Sequence, residues 1–243
     1  MAKTTPTYDH DFFEMIRQGS AMSARLVVPM IVDLFKPNSV LDAGCGVGTW
    51  LAEFDRNGVR DYLGIDGDYV DVSQLSIPEK RFRPTDLRRR FNVGSFDLTC
   101  SLEVAEHLPA SSADDFVASL VASSPIVVFS AAIPYQGGVD HINEQWPTYW
   151  AQKFKANGYA VFDPLRAAIK NNRGIEVWYR QNILVYCRPD AAPPTMSESP
   201  LEDLDFVHPE FYQSIVSQAL NAVPSGRKSM QGLIVAARRR LNF

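Results

Sequence analysis

The sequence predicts an α/β fold, an open and mostly parallel sheet with helices packed on both faces. Three observations predict it. Short runs rich in β-branched and aromatic residues alternate with helical stretches from residue 39 to residue 188, and parallel neighbours need crossover connections of that kind. The first run, Ser39-Val-Leu-Asp-Ala43, passes directly into the turn Gly44-Cys-Gly46-Val-Gly48. Finally, 243 residues, 46% of them hydrophobic, suffice for one sizeable core and an appendage, since a domain holds roughly 100–200 residues.

The elements follow in order. Apolar residues at helical spacing (Phe12, Phe13, Ile16, then Leu26, Val27, Met30, Ile31, Leu34) predict two helices separated at Gly19-Ser20, the second ending before Pro37. Residues 39–43 and 62–65 read as strands with a helix over 50–54 between them. Phe82-Arg-Pro and residues 96–102 read as further strands. A helix over 113–123 leads to a strand over 126–130. Beyond Trp146-Pro147 come a helix over 149–156, a turn at Asn157-Gly158 and a strand over 159–162. After a loop rich in Asn, Arg and Gly, residues 181–188 form the last strong strand.

Asp190-Ala-Ala-Pro-Pro-Thr-Met-Ser-Glu-Ser-Pro200 is short of core-forming residues and rich in proline, so it reads as a linker. The expected organisation is a domain over 1–189 with an N-terminal helical segment at about 8–36, a linker over 190–200, and a helical tail over 201–243. The tail carries amphipathic spacing around 209–220 and 227–243, with Arg238, Arg239 and Arg240 near its end, where arginine complements a helix dipole.

Bulk properties exclude several classes. A formal net charge of −4 argues against coating nucleic acid, which needs an excess of Lys and Arg. No run approaches the ~20 apolar residues that span a bilayer, and the N-terminus lacks a signal-peptide pattern, so a soluble, cytoplasmic protein is expected. Cys45, Cys100 and Cys187 are odd in number and far apart, which speaks against a disulfide framework or a structural zinc site.

A strand that runs into Gly44-Cys-Gly46-Val-Gly48 and then a helix must turn sharply and let backbone approach a ligand. Twenty-two positions after Gly44 comes Asp66, at the end of the second predicted strand, where an acid accepts the two hydroxyls of a ribose. Dinucleotide sites favour G-x-G-x-x-G, but Thr49 stands where the third glycine belongs. A nicotinamide-dependent oxidoreductase is therefore the weaker alternative.

Val40-Leu-Asp-Ala-Gly-Cys-Gly-Val-Gly48 resembles the first motif of class I S-adenosylmethionine-dependent methyltransferases, and Leu63-Gly-Ile-Asp66 resembles their second. Arg83-Pro-Thr-Asp86-Leu87 and Ser95-Phe-Asp-Leu-Thr-Cys-Ser-Leu-Glu103-Val-Ala-Glu106-His107-Leu-Pro109 resemble the next two, in order. The resemblance covers roughly residues 12–188. It implies a Rossmann-like methyltransferase fold, a seven-stranded sheet whose last strand is antiparallel. It also implies S-adenosylmethionine as cofactor, with S-adenosylhomocysteine as product. Asp42, Gly44, Cys45, Gly46 and Gly48 would frame the methionine end, Asp66 and Gly67 the ribose, and Asp86 and Leu87 the adenine, while Leu102 and Glu103 close over the cofactor. In this family a segment such as that carrying Tyr8, Phe12, Phe13 and Arg17 covers the cofactor like a lid; an amphipathic helix packed on the domain is the plainer reading.

Methyl transfer from a sulfonium is an in-line displacement, so the acceptor must be aligned and, for a hydroxyl, relieved of a proton. His107 follows the fourth predicted strand and His141 the fifth, both at the carboxyl edge where ligands bind in open sheets. The catalytic candidates are His141, His107 and Glu106. His141 lies in Gly137-Gly-Val-Asp140-His141-Ile-Asn143-Glu144-Gln-Trp146, whose His-x-Asn-Glu-Gln segment resembles that of bacterial methyltransferases acting on small metabolites and glycans. The competing view is that His141 and Asn143 cap the helix beginning near Pro147 while Trp146 and Trp150 fill the core. No metal is expected. Glu103, Glu106 and His107, completed by Asp140 or Glu144, form the alternative in which a divalent cation binds, because Glu103-Val-Ala-Glu106-His107 resembles ubiquinone-type O-methyltransferases. The expected reaction is O-methylation of a small metabolite or sugar hydroxyl; an N- or C-methyltransferase on the same scaffold is the alternative.

Overall fold

The computed structural model describes the backbone of residues 10–221 and the side chains of residues 18–220 except that of Gln218. Tyr8, the side chains of Phe12, Phe13 and Arg17, and the arginine-ended stretch over 227–243 lie outside the described residues. Seven strands form one sheet: β1 (Ser39–Ala43), β2 (Asp61–Asp66), β3 (Phe82–Pro84), β4 (Leu98–Leu102), β5 (Ile126–Ser130), β6 (Ala160–Phe162) and β7 (Leu184–Cys187). Their order is β3-β2-β1-β4-β5-β7-β6. The first five strands are mutually parallel, and β7 runs antiparallel to both β5 and β6. The mostly parallel sheet and its reversed last strand match the sequence expectation.

The helices are α1 (His10–Phe35), α2 (Thr49–Arg56), α3 (Ala113–Ser123), α4 (Pro147–Ala156), α5 (Pro164–Ile169), α6 (Val177–Asn182) and α7 (Pro209–Asn221). Alternation along the strands builds two cores, because successive side chains of a strand point to opposite faces. Val40, Cys100, Val128 and Val185 pack on one face with Val27 and Ile31 of α1, Leu51 and Phe54 of α2, and Leu165 of α5. Leu41, Val127, Phe129 and Tyr186 pack on the other with Phe116 and Leu120 of α3 and Trp150 and Phe154 of α4. There Phe154 stacks on Tyr186 at 3.8 Å between ring centroids, 9° from parallel.

Three features depart from the sequence reading. Residues 10–35 form one helix, not two. A mid-helix glycine costs ~1 kcal/mol against alanine, and the buried row Ala24, Val27, Val28 and Ile31 outweighs it. Gly19 also makes room, since a Cβ there would lie 2.1 Å from Glu176 Oε1, while Ser23 Oγ accepts from Glu176 N at 2.9 Å and ties the helix to the loop before α6. Second, the segment read as a loop before the last strand contains α5 and most of α6, which ends in Gln181 and Asn182 of the predicted strand, so that β7 begins only at Leu184. Asp163 caps α5 by accepting from Arg166 N and then pairs with the buried Arg166 guanidinium. Third, residues 190–205 lie against the domain as part of the compact unit that ends at Asp205. Ser199 N donates to Val161 O at 2.9 Å, Asp205 accepts from Thr148, and Leu204 is fully buried. Proline and serine made the stretch resemble a linker, whereas its few apolar residues and backbone hydrogen bonds hold it in place. Among the described residues no helix is long and apolar enough to cross a membrane.

Parallel neighbours leave β1 on both sides, to β2 and to β4. That reversal is the switch point beyond which open α/β sheets form a crevice at their carboxyl edge.

Candidate active site

A cleft of about 890 Å³ opens at this edge, lined by residues from the loops after β1, β2, β3 and β4 and by Asp140 from the loop after β5. Of the residues singled out in the sequence, Gly44, Gly46, Asp66, Gly67, Asp86, Leu87, Glu103 and His107 line it. Asp42, Cys45, Gly48, Leu102, Glu106 and His141 stand behind or beside that lining. Asp68, Tyr69, Thr85, Arg88, Val104 and Asp140 are among the rest of the lining; of these, Asp68, Tyr69 and Arg88 carry polar groups that no motif had pointed to.

Gly44, Gly46 and Gly48 all adopt positive φ, at 91°, 52° and 79°. Gly44 is doubly constrained, because a Cβ there would meet Val104 Cγ2 at 2.2 Å. The turn is thus pressed against the loop after β4. Gly44 N and Cys45 N both donate to Ile65 O, and Gly48 N closes the turn on Cys45 O.

Asp66 ends β2 and is buried. Its Oδ2 accepts from Gly46 N at 2.7 Å, and its Oδ1 accepts from Gly67 N at 2.7 Å and from the Tyr69 hydroxyl. Asp42, buried beneath the turn, has its carboxyl pushed up to about 8, first by loss of water and then by the nearby Asp66 charge. Asp86 is exposed at the cleft and held below the usual carboxylate range by hydrogen bonds from Arg88.

The loop after β4 is shaped by Glu103, a non-glycine residue at φ 55°. Its amide donates to Ser130 O at 3.0 Å. Its carboxylate accepts from Asn182 Nδ2 and from Gln136 Nε2, each at 3.0 Å. Burial raises the Glu103 carboxyl. Glu106, in the tight turn Ala105–His107, is fully buried, and neither of its carboxylate oxygens has a hydrogen-bond partner. Desolvation, with the Glu103 charge behind it, drives its carboxyl well above the ordinary range, which favours the neutral acid.

Backbone hydrogen bonds bring the two histidines together. Ile142 N and Asn143 N both donate to Glu106 O, at 2.9 and 3.0 Å, and dock the loop after β5 onto the turn that carries His107. The His107 and His141 rings meet edge to face at 4.8 Å. His107 is held below the usual imidazole range by the protein around it and by His141. One ligand atom each from Glu106, His107 and His141 lie within 4.8 Å of one another. The geometry corrects the ligand set suggested by sequence: the Glu103 carboxylate is taken by Asn182 and Gln136, and His141 stands in its place. The capping alternative also fails. The residue before α4 is Trp146, with no side-chain cap, and Asn143 is turned inward with its amide toward Ala105 O. Trp150 does fill the core, whereas Trp146 stays exposed.

The model of a family described as a methyltransferase domain matches residues 15–183. None of the curated proteins compared with the chain matches it. Among solved structures the chain resembles magnesium protoporphyrin IX methyltransferase from Synechocystis PCC 6803, crystallised with S-adenosylhomocysteine. Identity is 19% over 70% of this chain and 84% of that one, with a TM-score of 0.52. It also resembles CalS10, an amino pentose methyltransferase from Micromonospora echinaspora, at 15% identity over 72% of this chain and 96% of that one, TM-score 0.51. A third is phosphoethanolamine N-methyltransferase 1 from Haemonchus contortus, at 12% identity over 90% of this chain and 54% of that one, TM-score 0.53. These likenesses are of fold. The match across residues 15–183 is one of family, and it displaces the oxidoreductase alternative: the chain belongs to the methyltransferase domain family, as a class I S-adenosylmethionine-dependent methyltransferase.

Proposed function

We propose that the chain moves the methyl group of S-adenosylmethionine to a hydroxyl of a small metabolite or sugar, with His141, and His107 beside it, receiving the acceptor's proton. The observation that carries this reading is the meeting of two histidines over a buried acid next to a glycine-turn cleft. Asp42, Cys45 and the glycine turn hold the methionine end of the cofactor, Asp66 and Gly67 its ribose, and Asp86 and Leu87 its adenine, with Leu102 and Glu103 at the hinge between cofactor and acceptor. In the displacement the acceptor oxygen bonds to the methyl carbon as the carbon–sulfur bond breaks. Its electron pair remains on sulfur in S-adenosylhomocysteine, and the hydroxyl proton passes to imidazole. Alignment supplies much of such a rate, and a positioned base supplies ~10²–10⁴-fold.

Calorimetric titration with S-adenosylhomocysteine tests the cofactor, and absence of heat would end the reading. Transfer of labelled methyl to a panel of sugars and phenols tests the acceptor. The variant H107A/H141A is expected to lose most of its activity on a hydroxyl. An unchanged rate would favour an amine acceptor, which needs less help losing its proton.

A second reading is favoured by one observation, that both oxygens of the buried Glu106 lack partners beside two imidazoles. Glu106, His107 and His141 would hold a divalent cation, a donor set of the type such ions accept. The bound ion would supply positive charge next to the acceptor oxygen. Dialysis against a chelator followed by Mn²⁺ titration distinguishes the two readings: unchanged activity and no Mn²⁺ binding leave the histidines as the base.

A further inference from the structure

The loop carrying His141 is built around one carboxylate. Glu144 Oε2 accepts from Tyr135 N at 2.8 Å, and Oε1 accepts from Gly137 N at 2.7 Å while lying 3.0 Å from His141 Nδ1. Left-handed backbone at Tyr135 (69°), Gly137 (73°) and Asp140 (57°) curls the chain so that these donors converge. An ionised carboxylate can only accept. His141 Nδ1 therefore carries the hydrogen, and its lone pair sits on Nε2, since each ring nitrogen's role follows from the bond the other makes. The pair is mostly sheltered, the side chains being 12% and 20% exposed, so water competes weakly for Nδ1.

Two further contacts fix the ring. His107 meets it edge to face, 87° between planes. On the Nε2 side stands Gly138, where a Cβ would come within 2.2 Å of Nε2. Without a side chain, the Gly138 backbone packs directly against the Nε2 edge of the ring.

We infer that Glu144 is a positioning residue: it holds His141 as the Nδ1–H tautomer, so that the lone pair able to receive an acceptor's proton is on Nε2. The inference rests on the reading of His141 as the group facing the acceptor. Glu144 touches neither cofactor nor acceptor and acts through the imidazole, in the way a buried carboxylate orients a catalytic or metal-bound histidine elsewhere. A plain loop staple would need only the two backbone amides.

Long-range ¹H–¹⁵N correlation spectra of the full chain, recorded at a pH where the imidazoles are neutral, separate these roles. The wild type is expected to show His141 protonated at Nδ1, and E144A to shift it toward the Nε2–H form that histidine prefers in water. An Nε2–H tautomer in the wild type, or one unchanged in E144A, would overturn the inference; the wild-type spectrum decides even if E144A folds poorly. S-adenosylhomocysteine titrated into both proteins should bind alike, because Glu144 is not part of the cleft lining. No binding by the wild type would instead defeat the methyl-transfer reading, a result independent of the tautomer.

Discussion

Replacing Asp42 with asparagine separates what a buried acid costs the fold from what it does for the cofactor. Asp42 is 4% exposed, and its carboxyl is raised from an ordinary 3.8 to about 8 by burial and by Asp66. Between those values the folded chain holds a proton that the unfolded chain has released. The Asp42 contribution to stability is therefore greatest below about pH 4, falls as pH rises by ~1.4 kcal/mol per unit, and levels off above about pH 8. At pH 7 the penalty is ~4 kcal/mol. The side-chain amide of the D42N variant does not titrate, so urea denaturation of that variant without cofactor should give a stability advantage that is small near pH 4 and grows to a plateau above pH 8. A difference independent of pH from 5 to 9 would refute the reasoning, since it would mean that Asp42 ionises normally in the folded chain. The same substitution should weaken S-adenosylmethionine binding by ~1.5–3 kcal/mol, the usual worth of a hydrogen bond to a charged group. A gain in stability with a loss in affinity is the signature of a residue kept for its ligand.

Two further outcomes are expected. G44A places a Cβ 2.2 Å from Val104 at φ 91°, so it should lower the unfolding free energy by more than ~1–2 kcal/mol and abolish S-adenosylhomocysteine heat; binding within about threefold of wild type would show that the turn can shift. Truncation after Arg188 removes Leu204 and the Asp205–Thr148 bonds, so it should lower the melting temperature markedly, whereas truncation after Asp205 should leave the unit intact; equal melting points would return residues 190–205 to the role of linker.

The sheet was legible because its signals are local. Ser39–Ala43, Ala113–Ser123 and Ile126–Ser130 have the bounds their patterning predicts, each being a run whose period and flanking turn residues agree. The short helices α5 and α6 were not, since six residues carry too little periodicity, and capping by Asp163 becomes meaningful only once Arg166 is buried behind it. At the site, the glycines and Asp66 could be named from spacing alone. The meeting of His107 and His141 could not, because it depends on two amides of one loop finding Glu106 O on another. Tyr69 was hidden for a similar reason: an exposed tyrosine in a loop has no pattern until its hydroxyl reaches Asp66.

Backbone strain marks the same region. Of the non-glycine residues at positive φ among those described, Lys36 closes α1, where a left-handed residue commonly ends a helix. The others, Glu103, Tyr135 and Asp140, belong to the loops after β4 and β5, which dock on each other beside the cleft. Each costs on the order of 1–3 kcal/mol and persists only where its surroundings over-determine it. At Glu103 the amide bond to Ser130 and the hydrogen bonds from Asn182 and Gln136 do so; at Tyr135 the bond to Glu144 does. Glycine at 103 would relieve the backbone but take from Gln136 Nε2 its acceptor and leave Asn182 Nδ2 only Gln136 Oε1, a loss of similar size. Selection for stability alone has no reason to prefer glutamate there. What the strained residue secures is direction: it turns the chain from the end of β4 into the tight turn of Glu106 and His107 while holding its own carboxylate at the cleft, and the loop after β5 docks on that turn, so the two loops must be built together for the two histidines to meet.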